Sequence, residues 1–151
     1  MPVKTASRSI DATVDRVFDV VAHIENFSKA IPHIKKIEFL TDQKRGVGAR
    51  FRETREMKGR EVSSVLEVTE YVENDRIRYV SDEGGMIWDS IFQVKPEGDG
   101  TSLLLEMDAR PHKLLSKLIT PMMMGMVGKA VESDMDSVKE YCEAKNAGGG
   151  W

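Results

Sequence analysis

Two charged residues, Glu53 and Arg55, are the strongest candidates for chemistry in the sequence. They lie two positions apart in a predicted strand that follows Gly48, so both project to the same face as Phe51. On an internal face each charge needs a partner, because an unpaired buried charge is costly. We expect them to bind each other, water or a ligand, either as a polar anchor in a cavity or as a purely structural ion pair. The opposite register would expose both residues and turn inward Arg50, Arg52 and Thr54.

Two aromatic residues, Tyr79 and Trp88, are candidate wall residues of the same cavity. Each presents an apolar ring with one polar group, a combination that orients a ligand in a mostly apolar pocket. By alternation along their strands, Leu66 and Ser90 share this face and are further candidates for ligand binding. The alternative is that both rings pack in the core and the backbone satisfies their polar atoms.

Four of the nine methionines lie at the start of a long predicted helix that runs from Thr120-Pro121 to about Lys145. Methionine is flexible and polarizable, so such a cluster suits a surface that accommodates variable apolar molecules, although methionine is also common in ordinary cores. We expect Met122 and Met126 from this helix, with Met107 from a strand, to shape the apolar wall of a cavity.

The remaining motifs argue against several familiar classes of enzyme. His23, His33 and His112 lack the spacing of metal ligands and lie on separate elements, so we predict neither a metal site nor a cofactor. The sequence contains no Gly-Xaa-Ser-Xaa-Gly elbow, no phosphate-binding glycine loop and no dinucleotide-binding fingerprint. Hydrolase, kinase and dehydrogenase mechanisms therefore lose their usual support.

Size and composition predict one soluble globular domain. The chain has 151 residues, of which 40% are hydrophobic and 31% charged. This length is enough to form one hydrophobic core but too short for two ordinary domains. We assign residues 1–145 to this domain and expect residues 146–151, with their glycine run and terminal Trp151, to form a flexible tail. The net charge of −3 and the scattered Lys and Arg residues disfavour nucleic-acid binding.

Three features bear on the cellular compartment. No apolar run approaches the roughly 20 residues of a membrane-spanning helix, so stable membrane insertion is not expected. The N-terminal Met-Pro-Val-Lys-Thr lacks the apolar core of a signal peptide, and the single cysteine, Cys142, cannot form an internal disulfide. Together they predict a cytoplasmic protein, either a monomer or a homodimer.

An α+β order of elements is predicted to position these candidates. Hydrophobic spacing indicates a strand over residues 3–9, a helix capped by Thr13 and a second short helix that ends before Pro32. From residue 33 to residue 110 the period becomes two, and turn residues divide the segment into six short antiparallel strands. One face of these strands is apolar and the other charged, so the long C-terminal helix must cover the apolar face.

This order resembles the helix-grip fold of the START-like (SRPBCC) superfamily, which includes the polyketide cyclase/dehydrase group. The resemblance spans nearly the whole chain and is carried by residues 10–18, Ile31-Pro32, residues 46–51, residues 98–101, and Thr120-Pro121 with the helix that follows. It implies a seven-stranded curved antiparallel sheet wrapped around a long C-terminal helix, with two short helices between the first two strands. It also implies a cavity between sheet and helix that holds an apolar small molecule, without identifying that molecule.

Three functions are compatible with this interpretation. The leading hypothesis is binding or transport of a hydrophobic small molecule that is lipid-like, quinone-like or polyketide-like. The second is an aromatase/cyclase-type enzyme in which Glu53, Arg55 and Tyr79 assist proton transfer. The third is a protein-interaction module, in which the region from Leu114 to Met126 faces a protein partner.

Overall fold

The computed structural model describes residues 3–147, which form seven strands and three helices. The strands are β1 (Val3–Ile10), β2 (Ile34–Phe39), β3 (Arg50–Met57), β4 (Arg60–Val72), β5 (Arg76–Glu83), β6 (Met86–Glu97) and β7 (Gly100–Pro111). The helices are α1 (Val14–Ala22), α2 (Ile24–Ala30) and α3 (Leu114–Ala147). The strands form one antiparallel sheet in the order β1-β7-β6-β5-β4-β3-β2. The predicted helix-grip fold class is therefore confirmed.

The hydrophobic core lies between the inner face of the sheet and the helices. Alternate residues of the central strands are buried, as expected for a sheet with one covered face, and Ile77 and Leu103 are fully buried examples. The second half of α3 packs against β1 and β7. Its buried residues recur every three or four positions, which places them on one side of the helix: Val131, Met135, Val138 and Cys142.

The outer face of the sheet is polar, as the alternation predicts, but one of its carboxylates is buried. Asp89 is only 6% exposed because two arginines cover it. Arg78 binds it through Nε at 2.8 Å and Arg110 through Nη1 at 3.1 Å. These charge-assisted hydrogen bonds satisfy the buried carboxylate.

Helix α3 begins six residues earlier than predicted, at Leu114 instead of Thr120. The pair Thr120-Pro121 is typical of a helix start, because proline is well tolerated in the first turn. Here Pro121 lies inside the helix and cannot donate the usual hydrogen bond to the carbonyl of Lys117. The Oγ1 of Thr120 donates to the carbonyl of Ser116 at 2.6 Å. Ser116 in turn donates to Gly84 O at 2.8 Å. This hydrogen bond attaches the part of α3 that precedes Thr120 to the loop between β5 and β6.

The other end of α3 also extends beyond its predicted limit. Its backbone continues through Asn146 and Ala147, which the sequence assigned to a flexible tail. The rest of that predicted tail lies outside the described residues.

The first turns of α3 expose an unusual amount of apolar surface. Leu114, Leu115 and Leu118 are 76, 70 and 67% exposed. By length and composition alone, the part of α3 between Leu114 and Ala144 would also suffice to cross a membrane. Core helices of soluble proteins meet the same criterion, and the second half of α3 is packed in the core.

Candidate functional site

A cavity of about 550 Å³ separates the inner face of the sheet from α3. Strands β3 to β7 supply most of its wall, and α2 and α3 supply the rest. Its surface is largely apolar with a few polar groups, and its volume falls in the range of small-molecule sites. Met57, Val62 and Met126 line it and are 39–59% exposed, so they mark its mouth.

The structure brings nine of the ten predicted site residues together around this cavity. They come from five different strands and one helix, which share the inner face that alternation predicts. The nine are Phe51, Glu53, Arg55, Leu66, Tyr79, Trp88, Ser90, Met107 and Met126. Their role in ligand binding stays a prediction.

The prediction that Met122 shapes the cavity wall is wrong. Met122 is 80% exposed and is not among the lining residues. Helix residues are separated by about 100°, so Met122 points well away from its neighbour Met123, which does line the cavity. Met123 lies four residues before Val127, which also lines the cavity, so helical spacing was a usable signal for choosing Met123 over Met122.

Glu53 and Arg55 face inward, as the preferred register predicts, and they form a cluster with Asp134 of α3. Arg55 Nε is 2.5 Å from Glu53 Oε1, and its two terminal nitrogens lie 3.0 and 3.1 Å from the two Asp134 carboxylate oxygens. The side chains of Glu53 and Asp134 are 12% exposed. The cluster therefore supplies the pairing that such burial requires.

The charges of this cluster stabilise one another. Burial alone lowers the pKa of Arg55, but the nearby Glu53 and Asp134 carboxylates outweigh burial and raise that pKa above its ordinary value. Arg55 is therefore a permanent cation that its two carboxylates already neutralise. Sequence reasoning did not identify Asp134 as a partner, although a carboxylate within the apolar stripe of α3 was a usable signal.

The hydroxyl of Tyr79 is hydrogen-bonded to the backbone, as expected if the ring packs in the core and the backbone satisfies its polar atom. Tyr79 is 6% exposed, and its OH donates to the carbonyl of Val21 at 2.7 Å. Burial raises the pKa of the Tyr79 phenol far above its ordinary value. The ring lines the cavity and packs edge-to-face on Phe51 and Phe92, but the hydroxyl is not available to a ligand.

Ser81 is a functional candidate that sequence reasoning missed. It lines the cavity and is 5% exposed, yet its Oγ has no hydrogen-bond partner. Ser81 pairs with Trp88 across the β5–β6 ladder, so the hydroxyl and the indole lie side by side on the inner face. Three more serines also line the cavity: Ser63, Ser64 and Ser90. Ser81 lies two positions after Tyr79 in the same strand, so strand alternation alone would have placed it on the inner face.

Metal coordination finds no support in the part of the chain that the structure describes. Within residues 3–147, no group of three or more His, Cys, Asp or Glu side chains is arranged to hold a metal ion. The polar groups that line the cavity are hydroxyls, three carboxylates, one guanidinium and the indole of Trp88.

Solved structures of several proteins share this fold over nearly the whole chain. A protein from Thermus thermophilus is 23% identical, with a TM-score of 0.77 and coverage of 95% of this chain and 98% of its own. A START superfamily protein from Mycobacterium smegmatis is 18% identical, with a TM-score of 0.77 and coverage of 94% and 97%. The di-domain ARO/CYC StfQ from the steffimycin biosynthetic pathway is 11% identical, with a TM-score of 0.78 and coverage of 97% and 52%. At these identities the likeness shows the fold alone.

The family comparison extends over most of the sequence. No curated protein matches the chain significantly. The model of one family, described as polyketide cyclase / dehydrase and lipid transport, matches residues 1–143. The chain therefore belongs to this polyketide cyclase / dehydrase and lipid transport family.

Proposed function

We propose that this protein binds and carries a hydrophobic small molecule in the cavity between the sheet and α3. The observation that carries the proposal is the cavity itself: about 550 Å³ of largely apolar space with one buried charged cluster and one unpartnered hydroxyl. A void of this size in a tightly packed core forfeits contact energy unless a ligand fills it. The family description, which includes lipid transport, supports the same conclusion.

A neutral fluorescent probe, Nile red, tests this proposal directly. We expect its emission to rise and shift to shorter wavelength when it enters the cavity, and native mass spectrometry to detect apolar ligands retained through gentle purification. Filling the cavity by Ala130→Trp should abolish binding, because Ala130 lines the cavity. Ala144→Trp is the matched control, since Ala144 is exposed on the same helix. Failure of the wild-type protein to bind any apolar probe would refute the proposal.

An aromatase/cyclase-type activity is the second candidate, and one observation favours it. Glu53 lines the cavity with a side chain only 12% exposed, so a carboxylate is positioned where a bound poly-ketone could be deprotonated. The proposed role of Tyr79 in this chemistry is dropped, because its hydroxyl is bound to Val21. Glu53→Gln separates the two functions: it abolishes turnover of a poly-ketone substrate in an enzyme and changes only affinity in a carrier.

A further inference from the structure

The polar groups that line the cavity carry an excess of negative charge. Three carboxylates, from Glu53, Glu83 and Asp134, face a single basic residue, Arg55, among the described lining residues. Arg55 is already bound by two of them. Glu83 accepts a hydrogen bond from the backbone nitrogen of Val65 at 2.9 Å and forms no ion pair with any residue that the structure describes. An anionic ligand that enters the cavity would be repelled by these carboxylates, and the repulsion is strong because the dielectric constant there is low.

The hydroxyl groups of the wall suit an uncharged partner. Ser81 Oγ is the one cavity-lining atom among the buried polar side-chain atoms without a hydrogen-bond partner in residues 3–147. A buried hydroxyl without a partner is costly, and a ligand group that reaches it removes that cost. Ser81 lies on β5 and Glu53 on β3, separated by β4, so the two polar points are roughly 10 Å apart across the sheet. The cavity therefore offers hydrogen bonds at one point and negative charge at another.

We propose that the cavity selects amphiphiles whose polar end donates hydrogen bonds and carries no negative charge, such as alcohols, phenols and amines. Carboxylates and phosphates are rejected, because Arg55 is not free to receive them. A ligand group that donates hydrogen bonds suits both Ser81 and Glu53. A carboxylate such as Glu53 only accepts hydrogen bonds, and the Ser81 hydroxyl can accept one. This inference rests on the proposed function, because it specifies the ligand class of the same cavity.

Three probes with the same apolar chain and different polar ends test the proposal. Dodecanol, dodecylamine and dodecanoate compete with Nile red at neutral pH, each below the concentration at which it forms micelles. We expect dodecanol and dodecylamine to bind at least about tenfold more tightly than dodecanoate, a difference of about 1.4 kcal/mol. Equal or tighter binding of dodecanoate by the wild-type protein would overturn the inference.

Charge-neutral variants identify the cause of the selectivity. Asp134→Asn and Glu53→Gln each remove one of the carboxylates that bind Arg55, so the ratio of dodecanol affinity to dodecanoate affinity should fall about tenfold. Asp136→Asn is the matched control: Asp136 is two residues away on α3, 61% exposed and paired with Arg8 outside the cavity, and the ratio should not change. An equal fall in the control would contradict the assigned mechanism.

The outcomes separate the two proposals. If Nile red binds but none of the three competitors displaces it, the ligand-class inference is wrong and the proposed carrier function stands. If neither Nile red nor any competitor binds, the carrier function is wrong, and the inference that rests on it falls as well. If a variant fails to fold, the comparison of the three probes on the wild-type protein still decides the question.

Discussion

Arg55 on β3 and Asp134 on α3 are joined across the cavity by two nitrogen–oxygen contacts of 3.0 and 3.1 Å. On the opposite side of α3, Arg8 of β1 contacts Glu132 at 3.0 Å and Asp136 at 2.8 Å. The helix is thus bound to the sheet by one arginine on each side. The two clusters differ in burial, because Glu132 and Asp136 are 56 and 61% exposed while Asp134 is 12% exposed.

Replacing the two arginines should have very different effects on stability. Arg55→Ala leaves two largely buried carboxylates without a cation, and we expect a loss of about 2–3 kcal/mol of unfolding free energy, somewhat less than for a fully buried pair. Arg8→Ala is the matched control and should cost less than about 1 kcal/mol, because its partners are solvated. Urea denaturation measures both values. Equal losses would show that burial does not distinguish the clusters.

Ser81→Ala should stabilise the unliganded protein and weaken ligand binding at the same time. Removing a buried hydroxyl that has no partner should raise the unfolding free energy by about 1 kcal/mol, since its desolvation cost disappears. Ser116→Ala is a matched control, because Ser116 is equally buried but bonded to Gly84, and we expect a loss of about 1 kcal/mol. Thermal unfolding checks the opposite signs, and dodecanol affinity checks the ligand effect. A destabilised Ser81→Ala protein would contradict the absence of a partner.

Met126 and Met122 should respond differently to the same substitution. Met126 lines the mouth of the cavity, whereas Met122 does not line it. We expect Met126→Gln to weaken Nile red binding about fivefold, because a polar amide replaces apolar contact with the probe. Met122→Gln should leave the affinity unchanged. The reverse order would mean that the ligand enters from a different side of α3.

Stability should depend on pH through His23. This residue is 7% exposed at the junction of α1 and α2, and burial, reinforced by the charge of Arg45, lowers its pKa below the ordinary 6.5. The folded protein thus favours the neutral imidazole. As pH falls below 6.5, the unfolded chain takes up the proton first, so stability decreases until the lower folded pKa is passed. The slope from one such group is at most about 1.4 kcal/mol per pH unit.

Two measurements check this dependence. His23→Leu should remove the corresponding part of the slope in denaturation experiments between neutral and mildly acidic pH. Titration of the His23 imidazole by nuclear magnetic resonance gives its folded pKa directly. A folded pKa of 6.5 would mean that His23 gives no pH dependence, and a higher value would reverse its sign.

Local sequence signals, namely turn residues and strand alternation, were sufficient to predict most of the sheet. Strand β4 runs from Arg60 to Val72, and turn-forming residues bound it at both ends: Gly59 and Glu73-Asn74-Asp75. Alternation then placed Glu53, Arg55 and Trp88 on the cavity face correctly. These features depend on contacts within a strand or across one turn, which a sequence records directly.

The features that were missed depend on contacts between distant parts of the chain. Asp134 binds Arg55 across 79 positions, and the particular carbonyl that accepts from the Tyr79 hydroxyl, that of Val21, lies 58 positions away. The start of α3 was misplaced because Ser116 binds the β5–β6 turn, a contact that overrides the usual preference for proline near a helix start. The hypothesis of a protein-interaction module, based on the region from Leu114 to Met126, stays a prediction.

Cys142 has a practical consequence for following the cavity in solution. It is the single cysteine of the chain, it is fully buried, and burial, with a contribution from Glu143, raises its pKa to about 12. A thiol that remains protonated and inaccessible does not react with maleimide dyes at neutral pH. Met126→Cys would therefore introduce the one labelling site, so that a fluorophore at the mouth reports the arrival and departure of a guest without background from the native thiol.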